Sequence, residues 1–352
     1  MLPRLYLDHA ATTPTTTRAQ AAFADGIGRW ANPSSPHAEG RAARAALEKA
    51  RASIAATYGW RGEMILTSGA SESLAIALRR SGRRRLVSAV EHDAVFRAAP
   101  EAVVLPVDAD GRVMLDLARP EGAIVAVQWC NSETGVRQPI AAIAEGVHAA
   151  GHLLLIDAAQ MPAGADPQVA AHADLIALSA HKRGGAPGVG ALLVRDLATL
   201  EPTGGQERGY RPGTENLPGV LGYAAALAEP EPLTRWAALR ARLDDAITRS
   251  GGEVVAAAAP RHPAIASYRM LGVASAAQLI RFDLAGIAVS AGSACASGSL
   301  KPSHVLAAMG WPEAAAREVV RISFGRDTTE ADIDRAIATW RDIARAGRRL
   351  AA

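Results

Sequence analysis

Cysteine and lysine are both scarce in this sequence, and each scarcity limits the chemistry open to the chain. Only two of the 352 residues are cysteine, Cys130 and Cys295. So few cysteines do not build a disulfide framework in a chain of this size. Neither lies in a CxxC pair or in a histidine-containing cluster with zinc spacing, so we expect no bound metal. A role for either cysteine must therefore come from its thiol chemistry.

Lysine accounts for only three of the 38 basic residues, at positions 49, 182 and 301. An amine nucleophile must therefore be one of these side chains or the N-terminus. Lys49 lies in the helix-like stretch ALEKAR, where alternating charges favour a solvated position. Lys301 opens a helical pattern near Cys295, and a surface role is favoured there over catalysis.

Long apolar runs and a strong charge bias are also absent. No run approaches the roughly 20 residues that cross a bilayer, and the N-terminal stretch MLPRLYLDHAATTP has no apolar signal core. The net charge is only +3, and the basic clusters at 79–80 and 83–85 are short. Nucleic-acid binding would need a basic stripe or a known module. We therefore expect a cytoplasmic protein with neither a membrane nor a nucleic acid as partner.

Short apolar runs alternate with helix-like stretches between about residues 60 and 195. The predicted strands are 63–67, 85–89, 102–107, 123–128, 152–156, 174–178 and 189–194. Helical patterns such as 71–80 and 139–150 separate them. This alternation predicts an α/β fold with a mostly parallel seven-stranded sheet, covered by helices on both faces.

The rest of the chain predicts a second, smaller α/β unit. A Gly/Pro-rich stretch at 202–219 is followed by a long helical pattern at 232–250 and then by fewer strands. The chain is also too long for one simple core. We therefore predict a large domain over residues 12–230 and a small domain built from residues 1–11 and 231–352.

Polar residues follow three of the predicted strands. Asp157 comes directly after LLLI, Lys182 follows DLIALS, and the Ser/Gly segment 68–73 joins a strand to a helix. Active sites of parallel sheets lie at the carboxyl ends of strands, and helix starts bind anions. A snorkelling lysine and an ordinary serine N-cap are the plainer alternatives for the separate features. Together, however, an amine, an acid and an anion site are what pyridoxal phosphate requires.

The two cysteines have contrasting surroundings. Cys295 lies in GSACASGS, a loop of small residues that can move and leave a thiol accessible, as a nucleophile requires. Cys130 ends the apolar run AIVAVQWC, which is typical of a buried, inert thiol. The sequence therefore favours Cys295 as the reactive cysteine over a buried structural role.

Ten short motifs occur in order along almost the whole chain. They are YLDHAATTP (6–14), NPSSPHAEGR (32–41), LTSGASES (66–73), EHDAV (91–95), NSETGV (131–136), IDAAQ (156–160), SAHK (179–182), QERGYRPGTEN (206–216), SAGSACASGSLKPSHVL (290–306) and RISFGR (321–326). With these motifs the sequence resembles the cysteine desulfurases of the class V aminotransferase family, and is most similar to the subgroup serving iron–sulfur assembly and nitrogen fixation. The resemblance implies a fold-type I pyridoxal-phosphate transferase.

The resemblance also implies roles for individual residues. Lys182 would form the Schiff base, Asp157 would pair with the ring nitrogen, and His92 would stack on the ring. Further implied contacts are Gln160 with the ring hydroxyl; Ala70, Ser71, Ser179 and His181 with the phosphate; Thr214 with the phosphate of a neighbouring subunit; and Arg321, Asn131 and Ser132 with the substrate.

Two of these roles have alternatives in the sequence itself. His92 follows a strand and could simply bond to the backbone. Arg326, where the last strand ends, competes with Arg321 as the clamp for the substrate carboxylate. An arginine inside the apolar strand EVVRISF could also pair with a structural carboxylate.

The implied activity is that of a cysteine desulfurase. Such an enzyme removes sulfur from L-cysteine, leaves L-alanine, and carries the sulfur as a persulfide, here on Cys295. The sulfur would pass to an acceptor or scaffold protein such as one in iron–sulfur cluster assembly, and the role of Thr214 implies a homodimer. The alternatives are a selenocysteine lyase, another enzyme of the class V aminotransferase fold, and a non-catalytic scaffold in sulfur trafficking.

Two positions depart from the family pattern. Ser132 replaces the second asparagine that the family usually has in the NSETGV motif, and this shorter side chain predicts a change in substrate affinity or preference. After Lys182 the chain continues RGGAPG instead of an aromatic or aliphatic pair and a second lysine. This glycine-rich continuation predicts a more flexible loop.

Overall fold

The structure is a computed structural model and describes residues 3–117, 122–294 and 300–351. The strands in that part of the chain are β1 (Leu5–Tyr6), β2 (Glu63–Thr67), β3 (Arg85–Ser88), β4 (Val103–Leu105), β5 (Ile124–Gln128), β6 (Leu153–Asp157), β7 (Leu175–Ser179), β8 (Gly190–Val194), β9 (Glu253–Val254), β10 (Ile265–Arg269), β11 (Ile287–Ala288), β12 (Ser293–Ala294), β13 (Leu300–Lys301) and β14 (Val319–Ser323). The helices are α1 (Thr17–Gly28), α2 (Ala38–Thr57), α3 (Ala70–Arg80), α4 (Asp93–Ala98), α5 (Ile140–Ala149), α6 (Pro167–His172), α7 (Leu217–Leu227), α8 (Leu233–Arg249), α9 (Ser275–Leu284), α10 (His304–Ala308), α11 (Glu313–Ala316) and α12 (Glu330–Ala351).

The central sheet has seven strands in the order β2-β8-β7-β6-β5-β3-β4. Neighbouring strands from β7 to β4 run parallel, whereas β8 is antiparallel to both β7 and β2. The predicted mostly parallel α/β sheet is therefore confirmed. Because β2 through β7 all point the same way, their carboxyl ends meet at one edge, where active sites of such sheets lie.

Strand β5 shows why these segments form a buried sheet. Its sequence IVAVQ is apolar and largely β-branched, and every residue in it is buried. Val125 and Val127 face a cluster that includes residues of α2, α5 and α7. Ile124 and Ala126 face the opposite cluster, with residues of α3 and α4. Because successive side chains of a strand point to opposite faces, each face of the sheet has its own hydrophobic core.

A further hydrophobic cluster lies around the antiparallel strands β10 and β14. Helices α8, α9 and α12 contribute Trp236, Phe282 and Trp340 to it. The N-terminal residues join the same cluster, since β1 pairs with β11 and Leu7 is completely buried there. These contacts support the predicted small domain, whose boundaries remain a prediction.

The longest described helix, α12, packs with one face and exposes the other. Buried residues recur at helical spacing, among them Ile333, Ile337, Trp340 and Ala344, while arginine and aspartate residues occupy the positions between them. No helix in the described part of the chain is both long and apolar enough to cross a membrane.

Candidate active site

Three of the predicted strand-end features line one cavity. Asp157 ends β6, Lys182 follows β7, and residues 68–71 form the turn after β2 and the first residues of α3. The cavity formed by the described residues has a volume of about 1140 Å³. The sequence placed each feature at the end of a strand, and the parallel sheet brings all three to the same edge.

Lys182 lies in a tight turn after β7. The N–H of Gly185 donates to the carbonyl of Ala180 at 3.0 Å, and the carbonyl of Gly184 accepts the N–H of Thr16 at 2.9 Å. Gly184 has a φ of +85° and packs so closely on Thr16 that an added Cβ would lie 2.6 Å from its methyl group. These contacts close the turn and tie it to the N-terminal segment, and the predicted flexibility of the loop stays a prediction.

Burial lowers the pKa of Lys182 to about 8. The negative charge of Asp157 opposes this change, whereas the positive charges of Arg321 and Arg183 add to it. A large share of the side chain is therefore the neutral, nucleophilic amine near that pH.

Asp157 shares this edge of the sheet with a second carboxyl group, which the sequence analysis did not identify as functional. One oxygen of Asp157 accepts the N–H of Ala159 at 2.9 Å. Glu91 is completely buried, and its Oε1 accepts the N–H of Gln128 at 2.8 Å. Burial, followed by the negative charge of Asp157, raises the pKa of Glu91 well above its ordinary value. Both effects favour the protonated form of Glu91.

The start of α3 presents backbone N–H groups to the cavity. Ala70 and Ser71 line the cavity at this end of the 11-residue helix. The N-cap residue is Gly69, and no side chain caps the helix. The structure thus differs from the plainer alternative of an ordinary serine N-cap. Free N–H groups and the helix dipole together favour a bound anion here.

Ser179 and His181 line the same cavity. Ser179 is the last residue of β7, and Nδ1 of His181 lies 3.1 Å from Oγ1 of Thr12. Burial, with the positive charges of Lys182 and Arg183, lowers the pKa of His181 to about 4. The imidazole is therefore neutral and can donate one N–H to an anion without adding charge.

His92 both bonds to the backbone and lines the cavity. It is the N-cap of α4, and its Nδ1 accepts the N–H of Ala94 at 3.1 Å. Burial, followed by the positive charge of Lys182, lowers the pKa of His92. Because Nδ1 accepts, the proton of the neutral ring lies on Nε2. The cap fixes the orientation of the ring.

Two amide side chains near the cavity differ in whether their side-chain oxygen already accepts a hydrogen bond. Nε2 of Gln160 donates to the carbonyl of Ala10 at 2.8 Å, and its Oε1 is buried with no partner among the described residues. Asn131 is occupied by its own loop, because its Oδ1 accepts the N–H groups of Glu133 and Thr134 at 2.9 and 2.8 Å. Asn131 thus holds this loop while lining the cavity, and its predicted contact with the substrate stays a prediction.

The structure distinguishes the two candidate arginine clamps. Arg321 lines the cavity, whereas Arg326 is not part of its lining and donates to the carbonyl of Arg183 at 3.2 Å. Arg321 donates to Asp8 Oδ1 at 2.6 Å and to the carbonyl of Ser132 at 2.9 Å. Asp8 lies in the motif YLDHAATTP, but nothing in the sequence indicated that it pairs with an arginine more than 300 positions away.

The sequence analysis also considered Cys130, Thr214 and Cys295, and Cys130 is part of the cavity lining. Cys130 is buried with its thiol donating to the carbonyl of Gly135 at 3.2 Å, and burial raises its pKa to about 12. Thr214 is exposed in the segment before α7 and is not part of the cavity lining. Cys295 lies outside the described residues. The backbone strands β12 and β13 pair on either side of the segment that contains it.

The cavity contains one protein group for each part of pyridoxal phosphate that a protein must bind. Lys182 supplies an amine that is neutral near pH 8, and Asp157 supplies an anion for a protonated ring nitrogen. The uncapped start of α3 suits a phosphate, and the unpartnered Oε1 of Gln160 can accept the proton of a ring hydroxyl. The residues present therefore fit this cofactor.

Comparison with known proteins decides the family. The aminotransferase class-V family matches residues 5–336. A cysteine desulfurase of Gluconacetobacter diazotrophicus is 39% identical over 369 aligned positions, which cover 95% of this chain and 91% of that protein. The chain belongs to the aminotransferase class-V family. The resemblance read from the ten motifs is thereby confirmed, and enzymes of this family depend on pyridoxal phosphate.

Other class-V relatives and solved structures agree along nearly the whole chain. A cysteine desulfurase of Klebsiella pneumoniae is 37% identical and covers 96% of this chain and 92% of its own length. The structure of a NifS-like protein from Rickettsia africae has a TM-score of 0.89 at 28% identity, with 97% of this chain and 99% of that chain covered. SspA in complex with cysteine has a TM-score of 0.79 at 28% identity, with 92% of this chain and all of that chain covered.

Proposed function

We propose that this protein is a cysteine desulfurase that converts L-cysteine to L-alanine and carries the released sulfur as a persulfide on Cys295. The observation that carries the proposal is the single cavity in which the Lys182 amine, the Asp157 carboxylate and the uncapped start of α3 meet. The relatives named as cysteine desulfurases, and the similar structure that contains cysteine, support L-cysteine as the substrate.

The cofactor-binding residues have complementary roles. Bound pyridoxal phosphate supplies an electron sink for negative charge at the α-carbon of the substrate. Lys182 would hold the cofactor and, once released by the substrate, its amine would take the α-proton. A base with a pKa of about 8 suits that task near neutral pH. Asp157 would keep the ring nitrogen protonated, and burial favours the neutral form of Glu91.

The remaining cavity residues would orient the substrate and the ring. Arg321 lies at the cavity wall and would bind the substrate carboxylate through its guanidinium, which matches a carboxylate in shape and charge. His92, fixed by its cap on α4, would lie against the ring. Ser71, Ser179 and His181 would complete the phosphate site with Ala70. Ser132 lines the cavity beside Arg321 and would contact the substrate side of the site.

The sulfur transfer is assigned to Cys295. Its thiolate would attack the substrate sulfur, so that an S–S bond forms and the C–S bond breaks. The electron pair of the broken bond goes to the substrate carbon, which then takes up a proton and becomes the methyl group of alanine. The persulfide sulfur would next be passed to an acceptor or scaffold protein, for example in iron–sulfur cluster assembly. We place this reaction in the cytoplasm.

The proposal is tested by supplying the purified protein with L-cysteine and a reductant. Sulfide and alanine should appear in equal amounts. Lys182→Ala should lose both products and the visible absorbance of the cofactor. Cys295→Ser should keep the absorbance but lose sulfide release, whereas Cys130→Ser, the matched control, should keep most of it.

Two outcomes of this assay would reject the proposal. If Cys295→Ser released sulfide at the rate of the unmodified protein, the sulfur would not pass through that thiol. If a keto acid were instead converted to an amino acid while cysteine remained intact, the protein would be an aminotransferase. Parallel assays with selenocysteine measure the preference between sulfur and selenium.

A further inference from the structure

Arg183, which directly follows Lys182, is buried. Only 5% of its surface is exposed, although it carries a permanent charge. Its backbone N–H donates to the carbonyl of Ala180 at 2.8 Å, as part of the turn that holds Lys182. An arginine is seldom buried to this extent without a partner. Its position therefore needs a specific explanation.

Glu231 is the partner of this arginine. One terminal nitrogen of Arg183 lies 3.1 and 2.9 Å from the two carboxylate oxygens of Glu231. Both side chains are buried, with 6% and 10% exposed. Glu231 lies in the short connection between α7 and α8. The ion pair thus joins the Lys182 turn to a distant part of the chain.

Stability alone does not account for this pair. Removing two charges from water costs several kcal/mol for each ion, and replacing a buried pair with apolar residues is often neutral or stabilising. What an apolar pair cannot provide is a fixed positive charge next to Lys182. That charge reinforces the effect of burial in lowering the pKa of the amine.

The charge of Arg183 acts within a wider set of neighbours. The groups that act on Lys182 from the surrounding elements are Asp157 at the end of β6, Arg321 on β14, Cys130 after β5, His92 before α4, and His181 in its own turn. The groups around Arg183 are Glu231, Arg326 after β14, His262 before β10, and the hydrogen-bonded hydroxyls of Tyr58 and Tyr223. Glu231 is the anion that holds the Arg183 guanidinium in place.

We propose that Arg183, held by Glu231, is a positioning residue that fixes the Lys182 turn and keeps a permanent positive charge beside the amine. The inference rests on the proposed role of Lys182 as the residue that binds the cofactor. The inference extends that site to two residues behind its wall. Arg183 and Glu231 are not part of the cavity lining and act through Lys182.

The test is a visible-absorbance pH titration of the holoenzyme, which reports the protonation of the nitrogen that joins Lys182 to the cofactor. Arg183→Gln removes a positive charge, so protonation becomes easier and the apparent pKa should rise. Glu231→Gln leaves Arg183 uncompensated, so the apparent pKa should fall. Each shift should be roughly half a unit or more. Arg183→Lys keeps the charge and should titrate close to the unmodified protein.

Opposite shifts support the inference, because a merely structural pair would lower the melting temperature without moving the two titrations in opposite directions. Shifts of the same sign, or none, would overturn it. If Arg183→Gln does not fold, the titration of Glu231→Gln still tests the inference. An apparent pKa that is unchanged or raised in this variant would contradict it, because the inference expects a fall. If the apparent pKa shifts in opposite directions in the two variants but the protein releases no sulfide, only the proposed function is rejected. A protein without cofactor absorbance would reject both.

Discussion

At the scale of single residues, the cavity is a site whose charges are set mainly by burial. His92, His181 and Glu91 are all shifted toward their neutral forms, and burial is the largest cause for each. Lys182 is shifted in the same sense, to a pKa of about 8. The low polarity that makes these groups neutral also strengthens the electrostatic interactions of the groups that stay charged.

The rate at which the apoprotein captures pyridoxal phosphate should rise with pH through about 8. Only the neutral amine attacks the cofactor aldehyde, and a pKa lowered from 10.5 makes the amine neutral at lower pH than a free lysine. Mixing the apoprotein with cofactor over a series of pH values and following the visible absorbance measures this. Lys49→Ala should behave like the unmodified protein. A midpoint near that of free lysine would contradict the assignment.

Arg321→Lys should raise the KM for L-cysteine roughly 10- to 100-fold with a smaller effect on kcat. A lysine keeps the charge but lacks the planar fork that binds a carboxylate through two N–H groups. Steady-state kinetics of alanine formation measure the change. Arg269→Lys on the adjacent strand β10 is the matched control and should leave KM unchanged. If Arg326→Lys raised the KM and Arg321→Lys did not, Arg326 would be the residue that binds the substrate carboxylate.

At the scale of elements, we propose that the cofactor phosphate binds at the start of α3, which no side chain of the described residues caps. Helix α3 begins after Gly69, without a side-chain cap, and directly follows a sheet strand. Gly190 on β8 packs so closely on Gly69 that an added Cβ would lie 2.5 Å from its Cα. This contact holds the turn against the sheet at the point where Ala70 and Ser71 line the cavity.

Ser71→Asp should weaken the affinity for pyridoxal phosphate by roughly tenfold or more, because a carboxylate would take the place of the phosphate at the helix start and repel it. Equilibrium dialysis against the cofactor measures the loss. Ser275→Asp makes the same change at the start of α9, which also lacks a side-chain cap but lies away from the cavity. Equal affinities in the two variants would show that the start of α3 does not bind the phosphate.

At the scale of the whole molecule, we propose a homodimer in which Thr214 of one subunit reaches the phosphate bound by the other. The exposed position of Thr214, apart from the cavity of its own chain, agrees with this proposal. Sedimentation should show a dimer. Dimers that combine one Lys182→Ala chain with one Thr214→Ala chain should bind one cofactor tightly, because one of their two sites then has both residues intact. The absence of any tight site in such mixed dimers would contradict the arrangement.

The sequence by itself determined the fold class, the seven strands of the sheet and the family, because alternating apolar patterns and short motifs depend on neighbouring residues. It also placed Lys182, Asp157 and the Ser/Gly segment 68–73 directly after strands. Only the tertiary structure decided the pairings across long sequence separations, such as Arg321 with Asp8 and Arg183 with Glu231. Charge states were likewise decided there, because burial and distant charges, which local sequence does not specify, set the pKa of Glu91 and of Lys182.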